Sequence, residues 1–121
     1  MIIGLGTDII EIERVRKAVE KKFFRDKVFT ELEQKYCESR GKNSAASYAA
    51  RFAAKEAFFK ALGTGIFTSL KDVEIFNDER GAPKIKLRGK AETFAKEKCV
   101  EKISLSLSHS RDFATAICII E

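Results

Sequence analysis

Two carboxylates and a lysine carry most of the chemical information in this chain. They sit in the run Arg51-Phe52-Ala53-Ala54-Lys55-Glu56-Ala57-Phe58-Phe59-Lys60-Ala61-Leu62 and, far upstream, at Asp8. At about 100° per residue, a helix over this run places Glu56 on one face with Ala45, Ala49, Phe52, Ala53 and Phe59. A carboxylate inside an apolar stripe needs a partner, because burying it alone is costly. Lys60 follows one turn later on that face, and two readings stay open. One is an i,i+4 salt bridge, which on a surface contributes only ~0.3–0.5 kcal/mol. In the other, Glu56 ligates a cation and Lys60 reaches an anion held beside it. Asp8 closes an apolar opening segment and is either a turn or cap aspartate or a second oxygen ligand. Two hard oxygen ligands, a lysine and a basic chain fit a magnesium–phosphate site. Magnesium typically takes one or two carboxylates and leaves the rest of its octahedron to phosphates and water.

His109 is the only histidine and falls in phase with Ile103, Leu105 and Leu107. It is either a satisfied core residue or a functional group at a strand end. Ser104, Ser106, Ser108 and Ser110 take the opposite phase, and nothing in their order suggests a Ser-His-Asp arrangement.

The elements that must position these groups follow from periodicity. Ile2 to Ile10 reads as a strand ending near Asp8. Its glycines do not extend to a dinucleotide-binding fingerprint, since position 9 is Ile. Residues 11 to 24 read as one amphipathic helix, with Ile12, Val15, Val19 and Phe23 inward and Arg14, Arg16, Lys17, Lys21 and Lys22 outward. Thr30-x-x-Glu33 is a capping box opening a helix to about Glu38, followed by a polar loop. An Ala-rich helix from about Ser44 to Leu62 stops at Gly63. Val73 and Ile75, then Ile85 and Leu87, alternate as two strands around a turn from Asn77 to Gly81. A short helix over about Lys90 to Cys99 precedes a strand from Ile103 to His109. Ala114 to Ile120 reads as a strand covered on both faces. Helices first and strands later predict an α+β fold: a mainly antiparallel sheet packed with a long central helix.

The chain has 121 residues, 45% of them apolar and 34% charged, which makes a single domain over 1–121 with enough apolar side chains for a core. One Pro and seven Gly exclude collagen-like and Pro-rich chains. No apolar run approaches the ~20 residues of a membrane span, and Met1 to Ile10 lacks a basic leader. Cys37, Cys99 and Cys118 are odd in number and widely spaced, which argues against a zinc knuckle or a disulfide framework. Reduced thiols and a cytoplasmic setting are expected. The net charge of +5 suits an anionic partner. One reading of that charge is a small RNA-binding module without catalysis. Against it, most of the ten Phe lie in apolar phase and no aromatic–basic RNA-recognition strand is present.

Several pieces together resemble the holo-acyl-carrier-protein synthases, the small class of 4′-phosphopantetheinyl transferases. They are Gly4-Leu-Gly-Thr-Asp8-Ile-Ile-Glu11-Ile-Glu-Arg14, the block Arg51 to Gly65, Asn77-Asp-Glu-Arg-Gly81-Ala-Pro83 and Ser106-Leu-Ser-His109-Ser. They keep the family's order and spacing across essentially the whole chain, and the block Arg51 to Gly65 is the most specific. The resemblance implies transfer of phosphopantetheine from coenzyme A to a serine of apo acyl carrier protein, in support of fatty acid biosynthesis, with release of adenosine 3′,5′-bisphosphate. It implies Mg2+ held by Asp8 and Glu56, and Lys60 on the pyrophosphate. Gly63, Thr64 and Gly65 would lie along the coenzyme, with Arg51 and His109 near its phosphates. Gly81 and Pro83 match a loop near the adenine, supplied by a neighbouring subunit.

The loop before the long helix is less basic than in relatives. Lys42 matches a basic position, its neighbour is Asn43, and Arg40 is available as a replacement charge. Arg14 matches a position facing the carrier, and Lys17 and Lys21 extend that basic face. No nucleic acid and no membrane are implied. The length corresponds to one half-unit of the larger members, and the resemblance implies a homotrimer with sites at subunit interfaces.

Overall fold

The computed structural model describes all residues, Met1–Glu121. The chain runs β1 (Gly4–Glu11), α1 (Ile12–Val19), α2 (Lys22–Val28), α3 (Glu31–Glu38), α4 (Ser44–Leu62), β2 (Val73–Asn77), β3 (Pro83–Leu87), α5 (Gly89–Glu97), β4 (Ile103–His109) and β5 (Phe113–Ile120). Single 3-10 turns cover Gly41–Asn43 and Leu70–Asp72. Three strands form an antiparallel sheet in the order β1-β5-β4, and β2 and β3 form a separate antiparallel hairpin. The architecture is the expected α+β one, with its strands divided between two sheets.

Helix α4 is the axis of the molecule. It is apolar around nearly its whole circumference, with Ala49, Ala53, Ala54, Ala57, Phe58, Phe59 and Leu62 all buried. One core joins it to β2, β5 and α5, and a second joins its N-terminal half to α1, α2 and α3. The row Phe52, Glu56, Lys60 is the line along which the helix comes out to solvent. Glu56 therefore lies on an emerging edge and not in the middle of an apolar stripe. A helix buried on several sides has no single stripe for periodicity to find. Gly63 ends α4 with φ of 78°, the left-handed conformation that glycine adopts without penalty.

Close approach fixes β1 against α4. A Cβ on Gly4 would lie 1.9 Å from the Ala61 carbonyl oxygen, and one on Gly6 would lie 1.9 Å from that of Ala57. These glycines let strand and helix touch backbone to backbone, which holds Asp8 next to the exposed row of α4.

Three boundary expectations are corrected. Strand β1 continues past Asp8 to Glu11, because it pairs along its whole length with β5, down to Glu11 opposite Phe113. The predicted helix over 11 to 24 is two helices. Lys21 adopts extended dihedrals and breaks the run, leaving Phe23 exposed while Phe24 packs edge-on against Phe29 and Phe52. Strand β5 is covered on one face within the chain. Ala114, Ala116, Cys118 and Ile120 are buried, whereas Ile117 is 48% exposed. Leu5, Ile9, Phe113 and Ile117 make the opposite face of the sheet apolar and open.

Candidate active site

Asp8 comes from β1 and its side chain is only 11% exposed. Strand alternation directs it to the α4 side of the sheet, in phase with Gly4 and Gly6. From α4, Lys60 donates to Asp8 Oδ1 at 3.0 Å and to the Thr7 carbonyl at 3.0 Å. Of the two readings of Glu56 and Lys60, the i,i+4 salt bridge does not form; Lys60 crosses to the strand instead. Glu56 is half-buried and makes no hydrogen bond or ion pair within the chain. Burial, and then the negative charge of Asp8, push its carboxyl pKa up, while Lys60 and Arg14 pull it down. Two carboxylates from different elements thus share one locale, and one of them is free to bind something else. The donors are all oxygen, which suits a hard cation such as magnesium. The chain gathers no cluster of three or more His, Cys, Asp or Glu, so a cation there would complete its shell from substrate oxygens and water.

Gly63, Thr64 and Gly65 continue from the end of α4 as an exposed turn, with Gly65 also at positive φ, 69°. The Thr64 hydroxyl donates to the Gly65 carbonyl at 2.8 Å. This turn extends the Asp8–Glu56–Lys60 locale past the helix end.

A second group lies elsewhere on the chain. Arg40, Ser47, Arg51, Gly81, Pro83 and His109 line one recess of about 310 Å³. Arg51 is five residues before Glu56, about 140° around the helix, so the two side chains leave α4 in different directions. Arg51 is 4% exposed. Its guanidinium lies 4.1 Å from the centre of the Tyr36 ring, and its Nη2 donates to Asn77 Oδ1 at 3.0 Å. His109 ends β4 and is exposed. Gly81, with φ of 85°, shapes the β2–β3 turn, where the Asp78 carboxylate accepts from the amides of Arg80 and Ala82, each at 2.9 Å. Lys42 is exposed in the 3-10 turn before α4 and does not line this recess, whereas Arg40 does. The site residues therefore fall into two sets, with Arg51 and His109 beside Gly81 and Pro83, apart from Asp8, Glu56 and Lys60.

Arg14, Lys17 and Lys21 are all exposed and make no ion pair, unlike Arg16, which pairs with Glu13 at 2.9 Å. Tyr36 and Asn77 were not legible as site residues. They meet Arg51 through contacts far apart in sequence, 26 residues in the case of Asn77, which no local spacing encodes.

The chain matches the model of the 4′-phosphopantetheinyl transferase superfamily over residues 4–118. It is 48% identical to a holo-acyl-carrier-protein synthase of Ruminiclostridium cellulolyticum over 120 residues, covering 96% of this chain and 90% of that one. Among solved structures it is similar to a holo-acyl-carrier-protein synthase of Neisseria meningitidis. That match has a TM-score of 0.89 and 34% identity, covering 100% of this chain and 99% of the other. It is also similar to the Bacillus anthracis enzyme in complex with coenzyme A (3′,5′-ADP), with a TM-score of 0.82 and 36% identity over 99% and 96% of the two chains.

Proposed function

This chain belongs to the 4′-phosphopantetheinyl transferase superfamily, and from that premise we propose how it works as a holo-acyl-carrier-protein synthase. It transfers the 4′-phosphopantetheine of coenzyme A to a serine of apo acyl carrier protein and releases adenosine 3′,5′-bisphosphate. The observation that carries the mechanism is the convergence of Asp8 and Glu56 beside Lys60, with Glu56 unpaired. Asp8 and Glu56 would hold Mg2+. When bound, the ion neutralises charge on the pyrophosphate oxygens, which otherwise repel an incoming hydroxyl. Lys60 adds a second positive centre for the nucleotide that departs. The carrier serine attacks the phosphorus bearing the pantetheine arm, in line with the leaving phosphate, and no covalent enzyme intermediate is needed. The serine hydroxyl must lose its proton as it attacks, and a Glu56 oxygen left free by the ion would be placed to accept it.

The coenzyme spans both sets of residues, and the two sets belong to different copies of the chain. The open apolar face of Leu5, Ile9, Phe113 and Ile117 supports assembly, and a homotrimer gives every copy both neighbours it needs. In that arrangement Asp8, Glu56, Lys60 and the turn Gly63–Gly65 of one copy face Arg51, His109, Gly81 and Pro83 of the next. Arg14, Lys17 and Lys21 present unpaired positive charge to the acidic carrier. No helix is long and apolar enough to cross a membrane, and a cytoplasmic setting agrees with a coenzyme A substrate. Family membership sets aside the RNA-binding reading of the basic charge.

Intact mass spectrometry of an apo carrier protein tests this directly. The carrier should gain one phosphopantetheine arm only when enzyme, coenzyme A and magnesium are all present. Equal gain after exhaustive chelation would sink the metal assignment, and no gain under any condition would sink the activity.

A further inference from the structure

Arg51 is held by a closed triangle of side chains from three elements. The Tyr36 ring on α3 lies under its guanidinium at 4.1 Å. Asn77, the last residue of β2, accepts from Arg51 Nη2 at 3.0 Å through its Oδ1 and donates through Nδ2 to the Tyr36 hydroxyl at 3.1 Å. The Tyr36 ring also lies 5.8 Å from the Arg40 guanidinium, so one ring carries both arginines of the recess.

The geometry fixes more than the position of a charge. A guanidinium is planar and presents its donors in a rigid fork, so its orientation decides what it recognises. Tyr36 fixes the plane and Asn77 fixes the rotation within that plane. What remains are the donors that Asn77 does not take. Arg51 Nε is buried and has no partner within the chain, and Nη1 makes no bond there either. Nη1, unlike Nε, is not enclosed by the chain, and it is the donor left for an acceptor from outside. The same Asn77 opens the turn that carries Gly81 and pairs across the hairpin with Pro83, so the triangle ties the arginine to the turn beside it in the recess.

We infer that Tyr36 and Asn77 are positioning residues that orient Arg51 toward the phosphate end of coenzyme A. This rests on the placement of Arg51 in the coenzyme site proposed above. Neither residue needs to touch the coenzyme, and both act through Arg51. Their loss weakens coenzyme A binding and leaves turnover at saturation intact, since they stand in the set remote from Asp8 and Glu56.

Steady-state kinetics over a double-mutant cycle decide the matter. Arg51→Ala and Asn77→Ala should each raise KM for coenzyme A about tenfold, with kcat within about twofold. In the Arg51→Ala background, adding Asn77→Ala should raise KM by less than about twofold. Tyr36→Leu should behave as Asn77→Ala does. Tyr36→Phe keeps the ring under the guanidinium and should recover most of the affinity. Thermal unfolding of each variant, and the Tyr36 pair in particular, keeps a folding defect apart from a lost orientation. If Asn77→Ala costs its full factor again without Arg51, Asn77 contacts the coenzyme itself and the inference is wrong. If Arg51→Ala alone leaves KM unchanged, the assignment of Arg51 to the coenzyme fails, and the inference with it.

Discussion

Lys60 Nζ lies 3.0 Å from Asp8 Oδ1, a contact across 52 residues, and leaves Glu56 on its own helix unpaired. Lys60 is half exposed and Asp8 nearly buried. The lysine thus balances the carboxylate that is harder to hydrate, and the better-hydrated Glu56 stays available. Asp8→Ala and Glu56→Ala should each lower the transfer rate roughly 10²-fold or more, as expected for loss of one electrostatic stabiliser. Both proteins should remain folded, because neither carboxylate anchors the core. Near-normal turnover of purified Glu56→Ala in saturating magnesium would show that the ion is held elsewhere.

The contact of β1 with α4 sets that geometry, and Gly6 sets the contact. A methyl at Gly6 would meet the Ala57 carbonyl oxygen at 1.9 Å and the Ala61 nitrogen at 2.6 Å. Both are backbone atoms of a buried helix and cannot turn aside. Gly6→Ala should destabilise by about 1–3 kcal/mol or more, the usual range for overpacking. Activity should fall further than stability explains, since Asp8 moves with the strand. Wild-type values in both urea titration and transfer rate would mean that strand and helix can separate freely.

These two relationships also show what was legible in advance. The helix from Ser44 to Leu62 and the capping box at Thr30 were readable because their signals are local: an Ala-rich run with a glycine stop, and a threonine three residues before a glutamate. Asp8 and Glu56 stood out because carboxylates in apolar segments are costly. The break at Lys21 was not readable, since Phe23 kept helical spacing and only packing showed that Phe24 is the buried ring. Gly4 and Gly6 carried no visible meaning, because their role is the absence of a side chain against a helix over 50 residues away.

A shared site predicts complementation. Glu56→Ala and Arg51→Ala damage different sets of residues, and in a cyclic assembly those sets come from adjacent copies. Co-expression of the two variants should give mixed oligomers in which about a quarter of the interfaces have both sets intact, by random pairing. At low coenzyme A, where Arg51→Ala is weak, the mixture should exceed the average of the two parents. A mixture that only averages them would place all of these groups in one copy.

Lys17 and Lys21 point into solvent with no acidic neighbour in contact. Charge at such a rim mainly steers association. The double variant Lys17→Glu, Lys21→Glu should raise KM for the carrier at least about tenfold at low salt, with KM for coenzyme A unchanged. The difference from wild type should shrink as salt screens the charges. An equal rise in both KM values would place these lysines at the coenzyme instead.

The buried pair Glu33 and Lys55 yields the sharpest structural prediction, because neither side chain is exposed at all. Lys55 Nζ donates to Glu33 Oε1, to the Leu70 carbonyl and to the Val73 carbonyl, each at 2.8 Å. Glu33 accepts from the Thr30 amide at 2.8 Å and from the Ile75 amide at 2.7 Å. One ion pair therefore fastens α3, α4, the segment after the Gly63–Gly65 turn, and the strand ending in Asn77. Removing either partner alone should cost about 3–5 kcal/mol, since it leaves a buried charge uncompensated. Many buried pairs can be replaced together by apolar residues at little cost. This one should resist. Glu33→Leu with Lys55→Met would leave the Ile75 amide and the Val73 carbonyl without partners, at about 1–3 kcal/mol for each such group, and the Leu70 carbonyl with the Val73 amide alone. Equilibrium urea unfolding of the single and double variants separates the alternatives. A double variant as stable as the wild type would mean that the pair serves charge balance alone, and that the backbone groups it joins find other partners.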